Sequence, residues 1–172
     1  MNDRPLVWDG GFERGLPGVS LGWRWIEAGG AAISIAPGEG RSGSQAARIQ
    51  FDGSANPNFQ HLIQFVPVRP GTLYHFEGFL RTEELSTSEG VYFLVQDPWN
   101  AGAVRAVTSK LLGTQPWARL SASVRTSAQT SLLQIIVRRE ASLKLDNKLR
   151  GTVWVDDISL TPASGEGGAN RE

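Results

Sequence analysis

The chain has 172 residues, 40% of them apolar, which suits one globular domain and excludes extended disorder. Lysine plus arginine and aspartate plus glutamate balance at 17 each, without a basic block, which argues against a nucleic-acid partner. There is no cysteine, so disulfides, zinc–thiolate sites and thiol nucleophiles are all excluded. No stretch approaches a membrane span, and Met1-Asn2-Asp3-Arg4-Pro5 lacks the apolar run of a signal peptide. The expectation is therefore no membrane insertion, in either a cytoplasmic chain or a domain of a longer exported one.

In chain order, alternating apolar segments bounded by Gly and Pro predict strands at residues 6–8, 24–27, 31–36, 46–51, 59–68, 72–82, 90–97, 105–111, 118–125, 131–139 and 152–161. Turn pairs separate them, among them Pro37-Gly38, Asp52-Gly53, Pro70-Gly71 and Gln115-Pro116. Many short strands at this spacing predict an all-β protein, a two-sheet antiparallel β-sandwich (jelly roll), and not βαβ units. Residues 140–150 break the rhythm and read as a long loop. The domain should occupy residues 1–161, and the polar tail 162–172 reads as disordered.

Alternation also assigns faces. Tyr74, Phe76 and Leu80 point inward, leaving His75, Glu77, Phe79 and Arg81 outward. Val91, Phe93 and Val95 point inward, with Tyr92, Leu94 and Gln96 outward, and Leu133, Ile135 and Val137 inward, with Gln134, Ile136 and Arg138 outward. If these three strands neighbour one another, Tyr92, Gln96, Gln134 and Arg138 form a glycan-binding face flanked by His75, Glu77 and Arg81. Rings stack on the C–H faces of sugars, and amides and guanidinium groups pair with hydroxyls. Arg81 and Arg138 outnumber Glu77 there, which favours acidic sugars. Trp99, in Asp97-Pro98-Trp99-Asn100, follows the Tyr92 strand and is the best stacking candidate. Trp8, Trp117 and Trp154 read as core; Trp23 and Trp25, near turns, read as more exposed.

Two catalytic patterns lack their context. Gly18-Val19-Ser20-Leu21-Gly22 resembles a nucleophile elbow but has no helix after it. Gly38-Glu39-Gly40-Arg41-Ser42-Gly43 resembles a dinucleotide fingerprint but leads into an alternating strand. A glycosidase needs two carboxylates about the bond, and the exposed strands offer only Glu77, so the chain does not read as an enzyme.

Two aspartates, Asp156 and Asp157, stand inside the apolar last strand, where burial is costly unless a cation or donors satisfy them. Glu13 near the start, with Asp156 or Asp157 and carbonyls of the 40–43 turn, offers the hard oxygen set that calcium takes.

Several short motifs in order carry a resemblance: Gly11-Phe12-Glu13, Gly22-Trp23, Arg41-Ser42-Gly43-Ser44-Gln45-Ala46, Val68-Arg69-Pro70-Gly71-Thr72-Leu73-Tyr74, Pro116-Trp117 and Val155-Asp156-Asp157-Ile158-Ser159-Leu160. Over residues 7–161 the chain resembles carbohydrate-binding modules of the CBM4/9/22 type, within the galactose-binding-like jelly rolls. The resemblance implies a two-sheet jelly roll with a structural calcium beside paired terminal strands. It places the calcium glutamate at Glu13 and the terminal aspartate at Asp156, with Arg41 and Ser42 in the segment giving backbone oxygens. It also implies a non-catalytic module binding a polysaccharide or glycan, in the extracellular space, periplasm or cell envelope, with other domains of a longer chain as partners. The alternative is a structural or protein-interaction jelly roll without a glycan ligand.

Overall fold

The computed structural model describes residues 5–16 and 22–163. Ten strands form: β1 (Arg24–Trp25), β2 (Ala31–Pro37), β3 (Gln45–Asp52), β4 (Phe59–Pro67), β5 (Leu73–Leu85), β6 (Tyr92–Gln96), β7 (Arg105–Val107), β8 (Gly113–Arg125), β9 (Leu132–Arg139) and β10 (Arg150–Pro162). They make two antiparallel five-stranded sheets, in the orders β1-β4-β9-β6-β7 and β2-β3-β10-β5-β8. The described residues contain no helix, and so none long and apolar enough to cross a membrane. The protein is an all-β two-sheet sandwich.

The two sheets bury the inward positions read from the sequence. Phe76 and Leu80 of β5, Phe93 and Val95 of β6, Ile135 and Val137 of β9 and Val153 and Val155 of β10 share one core. Gly78 interrupts the inward row of β5 for a reason: a Cβ there would lie 2.8 Å from the Phe93 ring. Adding a side chain at so close a contact overpacks the core.

Four expectations change. The segment 6–8 is bends and a turn, not a strand; just after it the Asp9 carboxylate accepts from the N–H groups of Glu13 (2.9 Å) and Arg14 (2.8 Å) and curls residues 9–14. The turn that follows it meets β10, through Ile158 N donating to Gly10 O at 2.9 Å, while β10 lies centrally between β3 and β5. Trp23 is fully buried, stacked 5.0 Å from Phe12 with its Nε1 donating to Asp9 O at 3.0 Å. Pro116 sits within β8 instead of ending a turn, which an edge strand tolerates because no neighbour needs its missing N–H.

The fourth change is β5, which belongs to the opposite sheet from β6 and β9. The boundary near residue 162 moves little: β10 runs to Pro162, and Ala163 N donates to Leu73 O. The rest of the expected tail, 164–172, lies outside the described residues, as do 18–21 of the elbow-like run.

Candidate functional site

Strands β6 and β9 pair with Tyr92 opposite Arg138, Leu94 opposite Ile136 and Gln96 opposite Gln134, so these side chains share one outer face. β4 pairs on the far side of β9, setting Ile63 beside Ile136 and Phe65 beside Gln134. The two edge strands complete the rows, with Arg24 of β1 opposite Ile63, and Val107 and Arg105 of β7 opposite Leu94 and Gln96. One row, Arg24–Ile63–Ile136–Leu94–Val107, thus crosses all five strands.

Its centre is apolar. Tyr92, Leu94 and Ile136 lie on the outer face as expected but are not exposed there: each is at most 4% exposed, because they pack into a cluster against Ile63, separate from the main core. The polar residues border that floor. Gln96 Nε2 donates to Gln134 Oε1 at 3.2 Å, and Arg138 Nη1 donates to the Phe59 carbonyl at 3.1 Å. Next to β1 the face opens into a depression of about 640 Å³ lined by Arg24, Trp25, Ile26, Ile63 and Phe65. There the Arg24 guanidinium lies 5.3 Å from the Phe65 ring centroid, a cation–π distance.

The Tyr92 end is electrostatically closed. Its hydroxyl donates to Glu140, and Lys110 reaches both Glu140 (3.2 Å) and Glu89 (2.9 Å). Burial first, then the Glu140 carboxylate, pushes the Tyr92 phenol up to about 12. Burial works against the Glu140 carboxylate, but its Tyr92 and Lys110 donors outweigh that and hold its pKa below the usual range. His61 is kept neutral by burial and by the Arg138 cation, both of which lower its pKa. The opposite end is marked by Trp99, 78% exposed. Its turn is held by Asp97, which accepts from Trp99 N (2.8 Å), Asn100 N (3.2 Å) and the Thr130 hydroxyl (2.7 Å).

Of the expected face, then, Tyr92, Gln96, Gln134 and Arg138 come together, with Trp99 beyond the Gln96 end. His75, Glu77 and Arg81 do not flank it, since β5 carries them on the outer face of the other sheet. There they engage neighbours: His75 bonds Ser123 at 2.8 Å, Glu77 pairs with Arg119, and the Arg81 guanidinium stacks 3.9 Å from Trp154. Trp154 is buried, as expected, but under Arg81 on that outer face and not between the sheets. The contribution of β4 was missed because Leu62, Ile63, Phe65 and Val66 make both parities of that strand apolar.

The expected metal residues also gather. A β-bulge lies between Asp156 and Ser159, with Asp157 at φ 48°. Asp156 is fully buried; its Oδ2 accepts from Arg41 N (2.7 Å) and Ser42 N (3.3 Å), and its Oδ1 from Asp157 N (2.7 Å). Asp157 pairs with the Arg41 guanidinium at 2.7 Å and the Ser42 hydroxyl at 2.5 Å. Glu13 accepts from Ser44 N (2.8 Å), Gln45 N (3.2 Å) and the Ser44 hydroxyl (2.6 Å). In kind these are hard-cation ligands, and the Oδ1 atoms of Asp156 and Asp157 both lie within 4 Å of where a Cβ would stand on Gly11. The 41–45 turn, however, presents N–H groups to them in place of the expected carbonyls. Among the described residues no three acidic side chains surround one point.

No protein-family model matches the chain, and no curated protein sequence does. Solved structures do. The xylan-binding domain from CBM 22 has 14% identity, with 94% of this chain and 97% of that chain covered at a TM-score of 0.60. TmCBM61, solved in complex with β-1,4-galactotriose, has 16% identity, with 93% and 99% covered at a TM-score of 0.59. The CBM22-1–GH10 modules of the Clostridium thermocellum xylanase 10B, solved with xylohexaose, match at 14% identity and TM-score 0.56 over 83% of this chain; this chain spans only 26% of that one. Fold and comparisons define a class: the chain has the two-sheet β-sandwich of the CBM4, CBM22 and CBM61 carbohydrate-binding modules.

Proposed function

We propose that the protein is a non-catalytic glycan-binding module whose ligand lies along the outer face of the β1-β4-β9-β6-β7 sheet. The observation that carries this is the accessible part of that outer face: Trp25, Ile63 and Phe65 line an open depression beside β1, Gln96, Gln134 and Arg138 follow across the sheet, and exposed Trp99 stands at one end. Such a surface offers C–H faces somewhere to stack and hydroxyls something to pair with. The neighbours of this fold are carbohydrate-binding modules, which supports the same reading. Some carry the fold as part of a longer enzyme chain, which supports a place beside other domains of a longer chain. The row itself holds no carboxylate, and Glu140 at its border is engaged by Tyr92 and Lys110, so the face lacks the acid pair of a glycosidase.

A glycan array identifies the best ligand, and Trp99→Ala is expected to weaken it by about tenfold, the equivalent of one ring contact. The melting temperature should stay within a few degrees, because Trp99 is 78% exposed. Unchanged affinity in both Trp99→Ala and Gln134→Ala would place binding elsewhere.

Calcium at Glu13 and Asp156, with Asp157 as the alternate ligand, is the second part of the proposal. The ion would bridge the first turn to the β10 bulge and neutralise charges that Arg41 and the 41–45 amides hold here. A ligand that binds only the folded state at one hundred times its Kd adds about 2.7 kcal/mol. Chelator should therefore lower the melting temperature, and Glu13→Ala should abolish that difference; an identical melt with and without chelator rules the ion out.

A further inference from the structure

Three of the four sheet edges are protected against pairing. β1 is two residues long and β7 three, and β8 carries Pro116 and two arginines. Short strands, proline and charge are the usual guards of an edge. β2 has none of them until Pro37 ends it: Ala31-Ala32-Ile33-Ser34-Ile35-Ala36 is uncharged, and its one neighbour in the sheet is β3. Gly38 N donates to Ser44 O at 2.6 Å and Asp52 N to Gly30 O at 3.1 Å, so the bonded pairs of the β2–β3 register fall at the even positions of β2. Bonded and unbonded pairs alternate in an antiparallel ladder. The N–H and C=O groups of Ile33 and Ile35 therefore point away from β3. Free donors stop at both ends, because Ala31 N is bonded to Ala28 O at 3.1 Å and Pro37 has no N–H. Beside this edge Trp25 and Ile26, 39% and 59% exposed, border a depression of about 210 Å³ that reaches Ile33.

The edge also reads the same in both directions about Ser34: Ala32-Ile33-Ser34-Ile35-Ala36. Two antiparallel copies with Ser34 opposite Ser34 match Ile33 with Ile35 and Ala32 with Ala36. Each isoleucine then brings its free N–H to the free carbonyl of the other. We propose that the protein forms a two-fold dimer by pairing β2 with β2 of a second copy, joining their five-stranded sheets into one continuous sheet. Both open edges are used in the seam, so the assembly closes at two copies. Its axis is perpendicular to the sheet, and both proposed glycan faces look the same way. The dimer goes beyond the glycan reading and does not depend on it.

Sedimentation equilibrium of the full chain through the micromolar range tests the dimer, and single-cysteine variants test its register. The parent has no cysteine, so a disulfide in such a variant can only join two copies. The central Ser34 pair would be an unbonded one, with Cα atoms about 4.5 Å apart, within the span of a disulfide. Ala32 of one copy would lie roughly 13 Å along the strand from Ala32 of the other. A concentration-dependent dimer is expected. Under a mild oxidant Ser34→Cys should cross-link about tenfold or more faster than Ala32→Cys, although Ala32 is the more exposed of the two. Ile35→Pro removes a donor that no described residue uses, and it should weaken dimerisation about tenfold or more while the circular dichroism spectrum stays that of the parent. A monomer at every concentration overturns the proposal. Equal cross-linking at the two positions does so too, as does an Ile35→Pro chain that folds and dimerises like the parent. If Ile35→Pro does not fold, the cysteine pair decides alone.

Discussion

Replacing Arg139 by methionine is expected to destabilise the protein by about 3–5 kcal/mol, the range for leaving several buried polar groups without partners. Arg139 is fully buried at the end of β9. Its Nη1 donates to Asn56 Oδ1 at 2.7 Å and to the Pro57 carbonyl at 2.8 Å, and its Nη2 to the Thr87 hydroxyl at 3.0 Å. One guanidinium thus ties the segment before β4 to the loop between β5 and β6. Methionine has the length to fill the space, so the cost isolates the orphaned acceptors from a cavity. At about 2–4 °C per kcal/mol for a domain of this size, the melting temperature should drop by about 10 °C. Arg138→Met is the control: that side chain is half-buried and donates only to the Phe59 and Arg139 carbonyls, so its cost should be about 1 kcal/mol. A loss in Arg139→Met no larger than in the control would show the network to be dispensable.

The second large effect is expected at Asp156. Asp156→Ala removes the acceptor of three backbone N–H groups, those of Arg41, Ser42 and Asp157, and should cost about 2–4 kcal/mol. Its pH dependence carries a sign. Burial pushes the Asp156 pKa above the usual carboxylate value, against the pull of the Asp157 and Arg41 amides. A carboxylate whose pKa is higher in the folded state contributes stability that is full below its unfolded pKa and lost as pH rises through the folded one. The gap between parent and Asp156→Ala should therefore widen on acidification from pH 7 toward the ordinary aspartate range near 4. Glu13 and Asp97 run the other way. The Ser44 hydroxyl and amide lower the pKa of Glu13, and the Thr130 hydroxyl lowers that of Asp97. Their contribution is present above the usual carboxylate range and is lost as pH falls below it. A cation on Asp156 would hold it ionised and reverse its trend, so a gap that narrows on acidification in the presence of calcium, and widens in chelator, would reveal an occupied site.

The parity of the strands explains why so much of the fold was legible. In β6 and β9 the inward residues are apolar up to Arg139 at the end of β9, and a two-residue repeat leaves one arrangement that buries them. The same logic put Tyr92, Gln96, Gln134 and Arg138 on one outer face, where β6 and β9 pair them, without foreseeing that Tyr92 is buried there. It was silent on β4, whose two faces are both apolar, and on β1, whose two residues are too few to alternate. The β10 bulge did leave a trace: the inward set changes from Val153 and Val155 to Ile158 and Leu160, an odd-to-even shift that needs an extra residue between them.

By itself, then, the sequence determined the all-β class, most strand positions and the facing of each clear strand, because these follow from local alternation and turn chemistry. Only the tertiary structure decided which strands share a sheet. Glu77 and Gln134 both point outward from their strands, yet β5 and β9 lie in opposite layers, and alternation gives facing relative to the core without naming the layer. It decided the role of the tryptophans as well. Trp23 is sealed against Phe12 while Trp25, two residues on, is 39% exposed. That difference depends on what the rest of the chain brings to each side of a short edge strand, which no local pattern encodes.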